Sequence, residues 1–95
     1  MISVLMVSEL TDEQIKADIM YKLLRRSCWG AKYLPIDTLV NWMGKQIKGN
    51  GKKVGIMIKA LAKDGYLILQ KRNTTASLNP RTKREIMEFI EKYLI

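Results

Sequence analysis

The chain has 95 residues, a formal net charge of +8 and one cysteine, and it contains no histidine. This length fits one domain near the lower end of what builds a hydrophobic core without disulfides or metals. A hydrophobic fraction of 47% excludes a chain that is disordered by composition. The absence of histidine removes the commonest general base and metal ligand, and the lone Cys28 cannot form an internal disulfide or a zinc site of several thiolates. We therefore expect a binding domain with an anionic partner, no cofactor, no metal and no catalytic residues.

The first seven residues, MISVLMV, are apolar, but no positive charge precedes them and they run into Ser8 and Glu9. They are too short for a membrane span and lack the charged start of a signal peptide. We expect residues 1–10 to form an arm or short strand that packs on the domain or on a second copy of it. The free thiol fits a reducing compartment, so a cytoplasmic protein with no membrane partner is expected.

Two helices are predicted in the first half of the chain. The first begins at Thr11, because Thr11 and Gln14 have the spacing of a capping box, and it ends at about Arg26. Its apolar residues recur at helical spacing: Ile15, Ile19, Met20, Leu23 and Leu24. Residues 27–34, which Pro35 ends, predict a loop that leads into a short extended piece. Residues 36–43 predict a second, short helix that Gly44 stops.

A third helix is predicted over residues 51–64, with Asn50 as its N-cap and Gly65 as its C-terminal stop. Its apolar residues form one buried stripe: Val54, Met57, Ile58 and Leu61. Residues 66–70 are rich in β-formers, and residues 76–78 return after a turn candidate at residues 73–75. This segment therefore predicts a β-hairpin.

A last helix is predicted after the hairpin. Asn79 is its expected N-cap, and Pro80 is its expected first helical residue. The apolar residues of this helix share one face up to the C-terminus: Ile86, Phe89, Ile90, Tyr93 and Leu94. No internal repeat, low-complexity tract or linker interrupts the chain, so we expect a single domain over residues 1–95.

The predicted order of elements resembles the winged helix-turn-helix family of DNA-binding domains, in the small stand-alone form found in bacteria and archaea. Residues 35–80 carry the resemblance: two short helices joined by a glycine-containing turn, then a β-hairpin. The sequence Gly65-Tyr66-Leu67-Ile68 is typical of the exit from the recognition helix into the wing. One departure from the family is the turn over residues 44–50, which is longer than in simple helix-turn-helix repressors.

The resemblance implies an α+β, mostly helical fold. It implies a three-helix core with a β-hairpin wing over residues 11–80 and an additional C-terminal helix over residues 81–95. It also implies a double-stranded DNA partner and a role in transcription regulation, with the protein associated with the nucleoid. Helix 51–64 would then enter the major groove, and hairpin 66–78 would lie along the adjacent minor groove or backbone.

The excess positive charge lies in the middle of the chain. Residues 22–84 hold fifteen basic residues against two acidic ones, Asp37 and Asp64. Both flanking segments, residues 1–21 and 85–95, are net acidic. The charge is thus concentrated in the part that resembles the DNA-reading half of the winged-helix fold.

The densest group of cations surrounds the start of the third helix. The first amides of a helix have no internal partner and lie at the positive end of its dipole, and glycines there let a phosphate approach the backbone. We expect this corner to bind a nucleic-acid phosphate, the alternative being a solvated lysine face whose glycines serve a turn. The residues concerned are Lys45, Lys48, Gly49, Asn50, Gly51, Lys52 and Lys53.

Burial of the apolar stripe leaves a lysine-rich face of the third helix toward solvent. That face is expected to hold Lys52, Lys53, Ile56, Lys59, Ala60 and Lys63. Because Arg, Asn and Gln are scarce there, phosphate affinity is better supported than sequence specificity. Ile56 is a candidate for contact with a thymine methyl group, or a partly covered isoleucine with no such role. At the hairpin tip Lys71, Arg72 and Asn73 are candidate contacts, or residues that solubilise the hairpin edge.

Two other functions stay open. A protein–protein adaptor of the same fold would use the acidic flanking helices, and an RNA-binding module would use the same basic face. A homodimer through the N-terminal arm and the C-terminal helix is a further expectation. Its alternative is that both segments pack within one chain, with the last helix over the first.

Overall fold

The computed structural model of the protein describes residues 11–44 and 51–94. The described residues form a mostly helical α+β fold, as predicted. The expected N-terminal arm, and the candidate residues Lys45, Lys48, Gly49 and Asn50, lie outside the described residues. The elements in chain order are α1 (Asp12–Arg25), β1 (Leu34–Pro35), α2 (Ile36–Gly44), α3 (Gly51–Lys63), β2 (Leu67–Gln70), β3 (Thr75–Leu78), a 3-10 turn (Pro80–Thr82) and α4 (Lys83–Leu94).

Helix α1 begins with the predicted capping box. The Gln14 amide donates to Thr11 Oγ1 at 3.1 Å, and the Thr11 amide donates to Gln14 Oε1 at 3.0 Å. These two bonds satisfy amides that have no partner within the helix. Asp12 and Glu13 in the first turn, and Arg25 in the last, complement the helix dipole. The local sequence alone therefore fixes where α1 starts.

The sheet has three antiparallel strands in the order β1-β3-β2. The hairpin β2–β3 is confirmed, with Leu67 opposite Leu78 and Gln70 opposite Thr75. That register makes the connecting loop residues 71–74, so the predicted turn at residues 73–75 was placed too late. The extended piece before α2 is a true edge strand, which the sequence did not predict: Leu34 pairs with Ala76.

Two predicted boundaries differ from the structure. Gly44 is the last residue of α2 rather than a stop beyond it. Asn79 caps the 3-10 turn, where its Oδ1 accepts from the Arg81 amide at 3.0 Å, and α4 begins only at Lys83. Asn79 Nδ2 also donates to the Gly65 carbonyl at 2.9 Å, so this residue joins the end of α3 to the turn before α4.

The exit from α3 is a Schellman motif centred on Gly65. The Gly65 amide donates to the Ala62 carbonyl at 3.1 Å, and the Tyr66 amide donates to the Leu61 carbonyl at 3.0 Å. The φ angle of Gly65 is +88°, a conformation that side chains with a Cβ rarely adopt. The predicted glycine stop is confirmed, and it directs the chain from α3 straight into β2.

The core lies between the helices and one face of the sheet. Helix α4 packs on α1 and buries Ile86 and Ile90, so the last helix lies over the first within one chain. Helix α3 packs on both α1 and α2. The buried hydrophobic residues are Ile15, Ala17, Ile19, Met20, Leu23, Cys28, Leu39, Met43, Val54, Met57, Ile58, Leu61, Leu67, Ala76, Leu78, Ile86 and Ile90.

Candidate nucleic-acid interface

One side of α3 is buried and the other is basic. The predicted stripe of Val54, Met57, Ile58 and Leu61 is buried, which confirms the face assignment. The solvent face, as we use the term below, consists of Lys52, Ile56, Lys59 and Lys63, all exposed. Ile56 is 52% exposed and is therefore not covered by the rest of the fold. Lys53 and Ala60, predicted on the same face, are half-buried at its edge.

The lysines of the solvent face have no acidic partner in the part of the chain that the structure describes. Helix α3 contains no acidic residue. Within residues 11–44 and 51–94, the ion pairs use Lys22, Lys53 and Arg84 as cations. The charges of Lys52, Lys59 and Lys63 are therefore not neutralised by a described carboxylate, and the field of α3 toward solvent is positive.

Lys53 differs from the other lysines of α3 because it bridges two helices. Its Nζ lies 3.1 Å from Asp12 Oδ1, in the first turn of α1. Both side chains are about half exposed, at 42% and 52%, so the pair is well solvated and contributes little to stability. The sequence predicts that Lys53 contacts a phosphate. The Asp12 carboxylate would compete with that phosphate for the lysine.

Gly51, the first residue of α3, has a structural explanation. A Cβ at this position would lie 2.9 Å from Val40 Cγ1 on α2. Real Cβ atoms essentially never come that close to another heavy atom. The glycine thus permits the close approach of α2 and α3, a role that sequence reasoning did not assign when it linked this glycine to a phosphate.

The hairpin tip has an unusual backbone. Lys71, Arg72 and Asn73 have φ angles of +53°, +58° and +65°, so three consecutive residues with a Cβ are left-handed. The Thr74 amide closes this turn by donating to the Gln70 carbonyl at 3.1 Å, and Thr74 Oγ1 donates to the Lys71 carbonyl at 2.7 Å. Left-handed backbone costs Lys71 and Arg72 about 1–2 kcal/mol each, whereas asparagine adopts it more readily.

All four residues of the tip are exposed. Lys71 Nζ lies 5.1 Å from the centre of the Tyr33 ring, a cation–π contact that holds this lysine toward the segment before β1. Arg72 has no carboxylate partner among the described residues. The hairpin therefore presents one cation held by an aromatic ring and one in solvent.

A second basic surface lies between α1 and α2, and sequence reasoning did not find it. It is an open groove of about 510 Å³ lined by Asp18, Tyr21, Lys22, Arg25, Arg26 and Trp42. The Arg26 guanidinium lies 4.0 Å from the centre of a Trp42 ring, and its Nη1 donates to the Lys22 carbonyl at 3.3 Å. Lys22 pairs with Asp18 at 3.1 Å. These internal contacts give Arg26 a structural role at the end of α1.

Among the described residues, the cysteine and the carboxylates do not form a second kind of site. Burial raises the pKa of the Cys28 thiol above its ordinary value, and nearby Lys32 and Arg26 only partly oppose that shift. This agrees with an inert buried thiol.

No group of three or more His, Cys, Asp or Glu side chains among the described residues could hold a metal ion. No helix within residues 11–44 and 51–94 is long and apolar enough to cross a membrane.

Comparison of the chain with protein-family models, with curated proteins and with solved structures found no match. The order of the elements is compatible with a winged helix.

Proposed function

We propose that the protein is a winged-helix protein that binds double-stranded DNA and regulates transcription. Helix α3 would lie in the major groove, and the hairpin β2–β3 along the neighbouring minor groove or backbone. The observation that carries the proposal is the solvent face of α3: three exposed lysines, with no acidic residue in the helix and no carboxylate partner among the described residues.

Such a face fits a polyanion because DNA binding is driven largely by neutralising phosphates and releasing their counterions. An α-helix fits the width of the major groove, where a few exposed side chains meet base edges and phosphates. On α3 these side chains are Lys52, Ile56, Lys59 and Lys63. Lysine binds phosphate as a point charge, so affinity is proposed to exceed sequence specificity.

The order of elements supports a winged-helix arrangement. Helices α2 and α3 pack on each other, and α3 leads through Gly65 directly into the hairpin. The hairpin therefore starts where the basic helix ends. Arg72 at its tip is the proposed contact to the flanking backbone, because it is exposed and has no described carboxylate partner.

The test is a titration of the full chain with labelled duplex DNA, single-stranded DNA and structured RNA, followed by fluorescence anisotropy at several salt concentrations. About five phosphate contacts predict that log affinity for the duplex falls with log salt at a slope of about −4 to −5. Lys92→Gln, which removes an exposed cation from α4, serves as the control and should bind as the wild type does.

Three results would contradict the proposal. Tighter binding of structured RNA than of duplex DNA would favour the RNA-binding alternative. An absence of binding to any nucleic acid at low salt would favour the adaptor. An affinity for the duplex that does not respond to salt would exclude phosphate contacts as its source.

Homodimerisation through the N-terminal arm and the C-terminal helix stays a prediction. Helix α4 already buries Ile86 and Ile90 in the core, and its outer side leaves Met87 and Leu94 each 37% exposed. Light scattering at micromolar concentration should give twice the chain mass. A monomer mass would mean that α4 packs only within one chain.

A further inference from the structure

Gly55 lies inside α3, where a glycine is unfavourable. It is the fifth residue of a 13-residue helix. Glycine destabilises a helix interior relative to alanine, because it has more backbone freedom to lose on folding. A glycine at such a position therefore calls for a compensating role.

A glycine inside a helix is usually explained by a positive φ angle or by close packing, and the part of the chain that the structure describes shows neither at Gly55. Gly55 is not among the glycines with positive φ, which in the described chain are Gly30 and Gly65. A Cβ built on Gly55 meets no heavy atom of residues 11–44 and 51–94 within 4 Å, whereas one on Gly51 would lie 2.9 Å from Val40 Cγ1. Packing thus explains Gly51, but neither the packing of the described residues nor backbone conformation explains Gly55.

Two of the four residues that neighbour Gly55 on the helix are cations, and the other two are Gly51 and the buried Ile58. Lys52 precedes it by three residues and Lys59 follows it by four, the spacings that bring side chains together on a helix. Both lysines are exposed and lack a carboxylate partner within residues 11–44 and 51–94. Gly55 is itself half-buried at the edge of the solvent face, and it places no side chain next to these two positive charges.

We propose that α3 meets its partner most closely at Gly55, where a phosphodiester of the nucleic acid lies against the bare helix between Lys52 and Lys59. This inference rests on the proposed function and names one contact point within it. Amides inside a helix already bond to the preceding turn, so Lys52 and Lys59 hold the phosphate. Gly55 contributes by letting it come close, since a methyl group there would hold the phosphate away from both charges.

The experiment compares Gly55→Ala and Gly55→Leu with the wild-type chain in two measurements. Thermal unfolding should show Gly55→Ala to be more stable, with Tm raised by about 2–6 °C. Affinity for duplex DNA at fixed salt should fall about tenfold in Gly55→Ala and further in Gly55→Leu, because each added group prevents close approach. The loss in Gly55→Ala cannot come from unfolding if that variant is the more stable protein.

A matched pair on α4 controls for added bulk on an exposed helix. Glu91→Ala and Glu91→Leu should bind the duplex with equal affinity. If wild type binds duplex DNA and Gly55→Ala binds equally well, the inference is overturned while the proposed function stands. A lower Tm for Gly55→Ala would also overturn it, since Gly55 would then have a role within the fold. If wild type binds no duplex, the proposed function fails first and the inference falls with it.

Discussion

Gly51 and Val40 bring α3 and α2 into direct contact: a Cβ on Gly51 would lie only 2.9 Å from Val40 Cγ1. Valine is branched at Cβ and strongly prefers one χ1 rotamer in a helix, so Cγ1 cannot easily turn away. The contact therefore sets how closely the two helices approach, and with it the position of the basic helix on the fold.

Gly51→Ala should destabilise the protein by about 1–3 kcal/mol, because the added methyl group overpacks the contact with Val40. Chemical denaturation with urea measures this change. Combining Gly51→Ala with Val40→Ala should recover part of the loss, since the double variant removes the colliding Cγ1. Equal stability of Gly51→Ala and wild type would show that α2 and α3 can separate at no cost.

Those parts of the fold that depend on neighbouring residues were predictable from the sequence. The capping box at Thr11, the buried stripe of α3 and the glycine exit at Gly65 each have a local signal. The pairing of strand β1 has none: Pro35 favours extended backbone at Leu34, but the partner strand lies about forty positions later, where Leu34 meets Ala76. A two-residue strand has no periodicity to detect.

The candidate site likewise has parts that local sequence predicts and parts that it does not. The solvent face of α3 was predictable from its buried stripe, because the residues opposite the apolar side of an amphipathic helix face solvent. The Lys53–Asp12 pair and the α1–α2 groove depend on how helices pack, which no local pattern encodes. The left-handed tip was also not predictable, since Lys71 and Arg72 have no preference for positive φ.

Lys52→Gln and Lys59→Gln should each weaken duplex binding to a similar degree on every DNA sequence. Each lysine that contacts a phosphate releases one counterion, so each substitution should make the salt slope shallower by about 0.9. Anisotropy titrations over a range of salt give both quantities, and Lys92→Gln again provides the reference. A loss confined to one DNA sequence would indicate base contact instead of phosphate contact.

Asp12→Asn should tighten duplex binding, because it releases Lys53 from its carboxylate partner. The pair is exposed and is expected to contribute at most about 1 kcal/mol, so the folded state should survive the change. The variant Glu13→Gln removes an equal charge from the neighbouring exposed residue and separates the local effect from the net charge. If both variants gain affinity equally, Lys53 has no direct phosphate contact and only the overall charge matters.

Arg72→Gly should separate stability from binding at the hairpin tip. Arg72 has a φ of +58°, and glycine adopts this conformation without steric cost, so we expect the free energy of unfolding to rise by about 0.5–1 kcal/mol. Duplex affinity should fall at the same time, because the substitution removes the exposed cation. Arg72→Gln, which keeps the backbone strain and loses the charge, should lose the same affinity without the gain in stability. Unchanged affinity in both variants would mean that the hairpin tip does not contact DNA, and the interface would then be confined to α3.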